Sequence, residues 1–181
     1  GEMRKGSKAE LPEAFPLGYM MEVPLVETQL YLDFLLARFK DLSGRVVQRK
    51  IDKLSEFTDS NTIVVNCTGL GSRELMHDEK LYPIHGQIIK AKPQPKVTCI
   101  LADFPFGKTR DRLAYVVPRK DCLVLGGTSI KGEEDDAPNP DLIAGIIERC
   151  KAIEGNIEEL DIQSVEVGLR PGRFEIRLEK D

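Results

Sequence analysis

The sequence predicts an α+β fold in two parts, in which a helix and two strands precede a strand-rich, mostly antiparallel part. Apolar residues recur at three- and four-residue spacing in the segment 26–44, which is typical of a helix. Further along, Val and Ile are concentrated in short runs between turn residues, which is typical of strands. The pattern changes near Leu81-Tyr82-Pro83, so we predict a domain boundary between residues 82 and 83.

The first part begins with the predicted helix, which carries one apolar stripe. The members of this stripe are Leu32, Leu35, Leu36 and Phe39. Ser43-Gly44 is its predicted end, because glycine tolerates the left-handed conformation that follows many helices. The segments 45–51 and 61–66 are predicted strands. The unbroken run Ile63-Val64-Val65 predicts that the second strand is buried on both faces of a sheet.

The second part begins with four predicted strands, in the segments 86–92, 96–103, 112–119 and 122–129. A short turn separates the last two, which predicts an antiparallel hairpin. Asn139 is a predicted N-cap, with Pro140 at the first position of a helix. The apolar stripe of this helix consists of Leu142, Ile143, Ile146, Ile147, Cys150 and Ile153. A turn at 154–156 then leads to a last predicted strand, 162–173.

Composition excludes several classes of protein. The chain has 181 residues, of which 41% are hydrophobic and 31% charged, as expected of a folded globular protein. Its 26 basic and 30 acidic side chains give a net charge of −4, which argues against a nucleic-acid-binding protein. No apolar run approaches the ~18 residues that cross a bilayer, so no membrane partner is expected.

Cysteine and histidine usage narrows the chemistry further. The 4 cysteines are scattered without a CxxC pair, and no histidine lies at ligand spacing from them, so no metal site is predicted. This usage predicts small buried thiols in a reducing compartment. With only His77 and His85, a Ser-His-Asp or Cys-His arrangement has few ways to form. We interpret His85 as a structural residue in a loop or at a strand edge.

Two short motifs have both a functional and a structural interpretation. In NCTGLG, small residues follow a predicted strand, where a ligand could approach the backbone closely. A tight strand-to-helix turn explains the same residues. In GLRPGR, Pro171 keeps Arg170 extended, which suits bidentate capture of a carboxylate. An ion pair with a neighbouring glutamate is the structural alternative.

Two further features also have two interpretations. Tyr115 lies among β-branched residues, where it is either a core residue or a phenol that bonds a substrate oxygen. Lys108, Arg110 and Arg112 lie close together in one loop. They form either a substrate-facing lid of positive potential or a solvated run of charge.

The order of five motifs is more specific than any one of them. NCTGLG, YPIHGQ, YVVPR, LGGT and GLRPGR follow one another in a way that closely resembles the family of FAD-dependent D-amino-acid and D-aspartate oxidases. The likeness runs from about Gly18 to the end and includes the QRKI segment. It implies that residues 1–82 are part of a Rossmann-like FAD-binding domain and that residues 83–181 form a substrate-binding domain.

The resemblance implies FAD as the cofactor and names the residues that would hold it. Ile51 matches a main-chain contact to the adenine side of FAD, and Thr68 matches a second contact, with Cys67 and Gly69 beside it. The implied reaction passes hydride from the substrate Cα to flavin N5. The imino acid then hydrolyses to a 2-oxo acid and ammonia, and molecular oxygen reoxidises the flavin to give hydrogen peroxide.

For the substrate, the resemblance assigns binding of the α-carboxylate to Arg170 and assistance to the hydroxyl of Tyr115. It assigns no catalytic residue of the protein, which agrees with the scarcity of histidine. The expected partners are a small D-amino acid and molecular oxygen, with a homodimer as a further expectation. The expected compartment is the cytoplasm or the peroxisome.

Departures from the family pattern limit these expectations. An N-terminal GxGxxG and a glycine-rich segment after the closing RLE are not in this sequence, so the chain resembles the middle of an oxidase and is expected to be inactive alone. Asp111 replaces a second active-site tyrosine, and Ser129 stands where D-aspartate-specific relatives place an arginine. The choice between neutral and acidic substrates therefore stays open. Two alternatives also stay open, namely a catalytically silent substrate-domain module and an amine oxidase for glycine or sarcosine.

Overall fold

A computed structural model describes residues 1–13, 15–57, 59, 61–103 and 112–177. The chain divides into two compact units, residues 1–51 and residues 52–181. The predicted boundary between residues 82 and 83 separates a cofactor-binding part from a substrate-binding part. This division by function stays a prediction. No helix within the described ranges is long and apolar enough to cross a membrane.

The first unit contains a small hairpin and one helix. Strands β1 (Arg4–Lys5) and β2 (Tyr19–Met20) pair antiparallel, and helix α1 (Thr28–Asp41) confirms the predicted helix. The helix ends differently from the prediction, because Ser43, with a φ of 66°, is the left-handed residue. Gly44 is required for another reason, since a Cβ there would overlap the ring of Phe39.

The apolar stripe of α1 is not buried within this unit. No residue of the helix is buried, and its large apolar side chains are all exposed. They are Leu30, Tyr31, Leu32, Phe34, Leu35, Leu36 and Phe39. The apolar stripe that the sequence predicts is therefore present, but the first unit does not cover it.

Two strand predictions are wrong. The segments 45–51 and 61–66 are not strands, and Ile63 and Val65 are 91% and 75% exposed instead of buried on both faces. Their β-branched side chains favour an extended backbone, but a strand exists only where a neighbouring strand pairs with it. No strand in the described part of the chain lies alongside either segment.

The second unit is built on a six-stranded sheet in which every pairing is antiparallel. This confirms the predicted α+β class. The strands are β3 (Tyr82–Ala91), β4 (Leu101–Asp103), β5 (Arg112–Pro118), β6 (Leu123–Thr128), β7 (Ile130–Lys131) and β8 (Ile162–Gly172). Strand β3 lies at the centre, paired with β8 on one side and with β6 and then β7 on the other. The β5–β6 hairpin is as predicted, whereas only the last three residues of the segment 96–103 form a strand.

Helix α3 (Pro140–Ile153) packs on this sheet and completes the core. The side chain of Asn139 accepts a hydrogen bond from the backbone N–H of Asp141 at 2.9 Å, which confirms the predicted N-cap. Of the predicted stripe, Ile146, Cys150 and Ile153 are buried. Short turns of 3₁₀ helix at Leu54–Glu56 and Gly69–Gly71 and the four-residue helix α2 (Ser72–Leu75) precede the sheet.

Candidate functional site

The two substrate-binding candidates lie on the face of the sheet opposite helix α3. Buried residues of β3 and β5 alternate with partly exposed ones, so each strand has a covered face and an open face. Arg170 pairs with Ile84 of β3, and Tyr115 pairs with Gly126 of β6. Because paired residues share a face, the open face carries both Arg170 and Tyr115.

Arg170 lies in β8, where Pro171 follows it in the strand as predicted. Its Nη2 donates to the backbone oxygen of Thr128 at 3.3 Å. Gly86 lies under the guanidinium, since a Cβ there would be 3.2 Å from Nη2 and 3.5 Å from Cζ. Within the described ranges Arg170 forms no ion pair, so it does not make the ion pair with a neighbouring glutamate that the structural interpretation predicts. A guanidinium has five N–H donors, so most of them stay available to an anion.

Tyr115 lies across two glycines of β6. A Cβ on Gly126 would overlap the ring and hydroxyl of Tyr115, and one on Gly127 would be 3.2 Å from the hydroxyl oxygen. Burial raises the pKa of the Tyr115 phenol, and the positive charge of Arg170 opposes that rise. The two candidates therefore lie on one face of the sheet, and the phenol of Tyr115 stays protonated and able to donate a hydrogen bond at neutral pH.

Helix α3 holds the backbone behind this site. The buried thiol of Cys150 lies 3.4 Å from the carbonyl oxygens of both Tyr115 and Gly126 and shares its hydrogen between them. Arg149 donates from Nη2 to the carbonyl oxygen of Gly127 and from Nε to that of Leu113, both at 3.2 Å. Local sequence patterns missed these roles, because Cys150 fits the apolar stripe and the glycines of LGGT carry no side chain.

The thiol of Cys150 makes stability depend on pH. Burial raises its pKa to about 11 from an ordinary value of 9.0. Because the folded pKa is the higher one, the stabilisation is complete below pH 9 and is lost as the pH rises through 11. The rise from 9.0 to about 11 corresponds to about 2–3 kcal/mol in the free energy of unfolding. We expect urea unfolding to show this loss between pH 9 and pH 11.

Two cysteine variants serve as controls for that loss. Cys150→Ala removes the titrating group, so its stability should fall less over this pH range than that of the wild type. Cys99→Ala removes an exposed thiol and should keep the wild-type profile. Equal pH profiles for wild type and Cys150→Ala would show that the thiol does not cause the loss.

The candidate cofactor residues lie in an exposed turn at 66–72. The hydroxyl of Thr68 lies 2.8 Å from both Asn66 Oδ1 and Ser72 Oγ, and the backbone N–H of Thr68 donates to Asn66 Oδ1 at 3.1 Å. Gly69 has a φ of 58°, and nothing would lie within 4 Å of a Cβ on it. Asn66 and Ser72 were not among the predicted site residues, although both stand in or directly after the NCTGLG motif.

The other candidates have different outcomes. Ile51 is the last residue of the first unit, and its assignment stays a prediction. His85 is not at an edge, because it is 2% exposed in the central strand β3, with Nδ1 3.4 Å from Thr128 Oγ1. The proposed lid residues Lys108 and Arg110 lie outside the described residues. No group of three or more His, Cys, Asp or Glu side chains suited to a metal ion occurs in the part of the chain that is described.

Comparison with protein families gives one match that spans most of the chain. Residues 7–178 match the family model described as FAD dependent oxidoreductase. A D-amino-acid oxidase of Dictyostelium discoideum is 38% identical over 181 residues, which covers 98% of this chain and 50% of that protein. A D-amino-acid oxidase of Rubrobacter xylanophilus is 36% identical over 177 residues, which covers 97% of this chain and 53% of that protein. The chain thus spans about half the length of these curated relatives.

Among solved structures, a glycine oxidase from Geobacillus kaustophilus is similar over 60% of this chain and 29% of its own. The sequence identity is 20% and the TM-score is 0.49.

Proposed function

Because this chain belongs to the family of FAD-dependent oxidoreductases, we propose that it supplies the substrate-binding part of an oxidase of D-amino acids. The overall reaction converts a D-amino acid, water and molecular oxygen into a 2-oxo acid, ammonia and hydrogen peroxide. The names of the curated relatives support D-amino acids as the substrate class. The single observation that carries the proposal is the guanidinium of Arg170, which has no ion-pair partner in the described chain and lies on the same open face of the sheet as Tyr115.

Arg170 would bind the α-carboxylate of the substrate. A guanidinium and a carboxylate match in shape and charge, so two parallel N–H···O bonds fix the orientation of the amino acid as well as its position. The protonated phenol of Tyr115 would donate a further hydrogen bond to the same carboxylate. These two contacts orient the Cα–H bond, and orientation is the main contribution that a protein makes to cofactor-dependent oxidation.

FAD, when bound, supplies the two-electron oxidation that turns an amine into an imine. The turn at 66–72 is chemically suited to part of this cofactor. Thr68 and Ser72 present neutral hydroxyls, and Gly69 leaves its backbone open to close approach. Cys67 is exposed beside them. We propose that Thr68, with Cys67 and Gly69 beside it, contacts FAD and that Ile51 makes a second contact through its main chain.

The isolated chain is proposed to be catalytically silent. Ile63 and Val65, which precede the Thr68 turn, expose 91% and 75% of their surface, so the backbone before this turn lacks the packing that would fix it. A colourless purified chain is the expected result, and absorbance of bound flavin would contradict it. We propose that the protein lies in a reducing compartment, because all four cysteines are free thiols. A homodimer stays a prediction.

The reaction is tested in a completed protein, in which this chain is joined to the half of the Dictyostelium relative that it does not cover. We expect bound flavin and peroxide production with D-alanine but not with L-alanine. A comparison of D-alanine, D-aspartate and glycine then gives the preferred substrate. Bound flavin without peroxide from any D-amino acid would contradict the proposed reaction. Peroxide production with glycine but with neither D-amino acid would favour a glycine oxidase.

A further inference from the structure

The pairing of β3 with β6 and β7 changes register by one residue beside Arg170. Ile88 pairs with Gly126, whereas His85 pairs with Ile130. Between these pairs β3 has two residues, Gly86 and Gln87, and the opposite segment has three, of which the last, Ser129, lies between β6 and β7. One extra residue of this kind is a β-bulge, and bulges turn backbone groups and side chains out of the regular sheet pattern.

Three hydrogen bonds at this change of register involve side chains. The backbone N–H of Gln87 donates to the hydroxyl oxygen of Thr128 at 2.8 Å. The carbonyl oxygen of Thr128 itself accepts from Nη2 of Arg170 at 3.3 Å, and that of Gly127 accepts from Arg149 at 3.2 Å. At the bulge, two successive carbonyl groups thus accept hydrogen bonds from two arginines. The Thr128 hydroxyl meanwhile accepts the hydrogen bond of the Gln87 N–H in β3.

Thr128 is held firmly in this arrangement. It is 6% exposed, and its hydroxyl also lies 3.4 Å from Nδ1 of the buried His85. The side chain of Gln87 continues the network, since it donates to the carbonyl oxygen of Asn139 at 2.9 Å and accepts from the N–H of Asn139 at 2.7 Å. A chain of polar contacts therefore connects the N-cap of α3 to the guanidinium of Arg170.

We propose that Thr128 is a positioning residue for substrate recognition: its hydroxyl fixes the bulge against β3, and its carbonyl then directs the guanidinium of Arg170 toward the substrate carboxylate. This inference rests on the proposed function of Arg170. The hydroxyl matters because its removal leaves the buried N–H of Gln87 without an acceptor, so the bulge relaxes and the Thr128 carbonyl turns. A serine keeps the hydroxyl, whereas a valine has the shape of threonine without it.

The test measures the binding of D-alanine to the purified chain by NMR titration, together with the signals of the arginine side-chain N–H groups. We expect Thr128→Val to weaken binding about tenfold and Thr128→Ser to stay within about twofold of the wild type. In the wild type, hydrogens of Arg170 should exchange more slowly than those of the exposed Arg45, and Thr128→Val should remove that difference. Thr98→Val, at an exposed threonine, is the matched control and should change neither readout.

The outcomes separate this inference from the proposed function. If Arg170→Leu loses binding while folded Thr128→Val binds within twofold of the wild type, the positioning role is wrong and the role of Arg170 stands. If the wild type does not bind, or Arg170→Leu binds as well as the wild type, the proposed function fails and this inference fails with it. If Thr128→Val does not fold, the wild-type spectra decide, because Arg170 hydrogens that exchange as fast as those of Arg45 would overturn the role.

Discussion

Replacing Arg170 by leucine is expected to lower kcat/KM for D-alanine by at least about 10- to 150-fold in the completed protein. Charge-assisted hydrogen bonds to a carboxylate contribute about 1.5–3 kcal/mol, and every 1.4 kcal/mol changes kcat/KM about tenfold. Stability should change little, because the guanidinium makes one hydrogen bond to Thr128 and no ion pair within the described residues. Steady-state peroxide assays with matched thermal unfolding measure both quantities.

Two variants sharpen that comparison. Arg170→Lys keeps the charge but not the planar fork, so it should recover only part of the lost kcat/KM. Arg38→Leu, on the exposed helix α1, removes an arginine far along the chain and should leave activity and stability unchanged. An Arg170→Leu protein with wild-type kcat/KM would remove the carboxylate-binding role from this residue.

Gly126→Ala should have the second large effect, on stability and on the site together. A Cβ at this position would overlap the ring and hydroxyl of Tyr115, so either the ring leaves its place or strand β6 moves. Overpacking of this kind costs about 1–3 kcal/mol in the free energy of unfolding. A ring displaced into solvent also loses the burial that raises the pKa of the Tyr115 phenol, so that pKa should fall. Urea unfolding and absorbance titration of the phenolate measure the two effects.

The cause is isolated by a double variant and by a glycine control. Gly126→Ala combined with Tyr115→Ala should be more stable than the two separate losses predict, because the overlap needs both side chains. Gly155→Ala places a Cβ where nothing lies within 4 Å and should stay within about 0.5 kcal/mol of the wild type. A Gly126→Ala protein with the stability of Gly155→Ala and an unchanged phenol titration would contradict this description of the site.

Much of the second unit could be predicted from local sequence. Strands β5 and β6 are separated by a short turn, and Asn139 and Pro140 mark the start of α3, so neighbouring residues contain the necessary information. The segments 45–51 and 61–66 have equally strong strand composition, but pairing depends on a neighbour that the local pattern does not specify. Composition therefore predicted more strands than the structure has, because pairing decides which segments become strands.

The site divides in the same way. Arg170 and Tyr115 could be proposed as site residues from their motifs, since Pro171 after the arginine and the order of the motifs are visible in the sequence. Thr128 and Gly126 owe their roles to the register of β6 against β3 and β5, which no short motif specifies. Cys150 occupies an ordinary stripe position, and only the carbonyl groups beneath it show why a thiol is useful there.

A crystal structure of the chain with D-alanine tests the central claim most directly. The carboxylate of the amino acid is predicted to lie within hydrogen-bond distance of the guanidinium of Arg170 and the hydroxyl of Tyr115, on the face of the sheet opposite α3. A carboxylate bound elsewhere, with Arg170 contacting only the protein, would contradict the account.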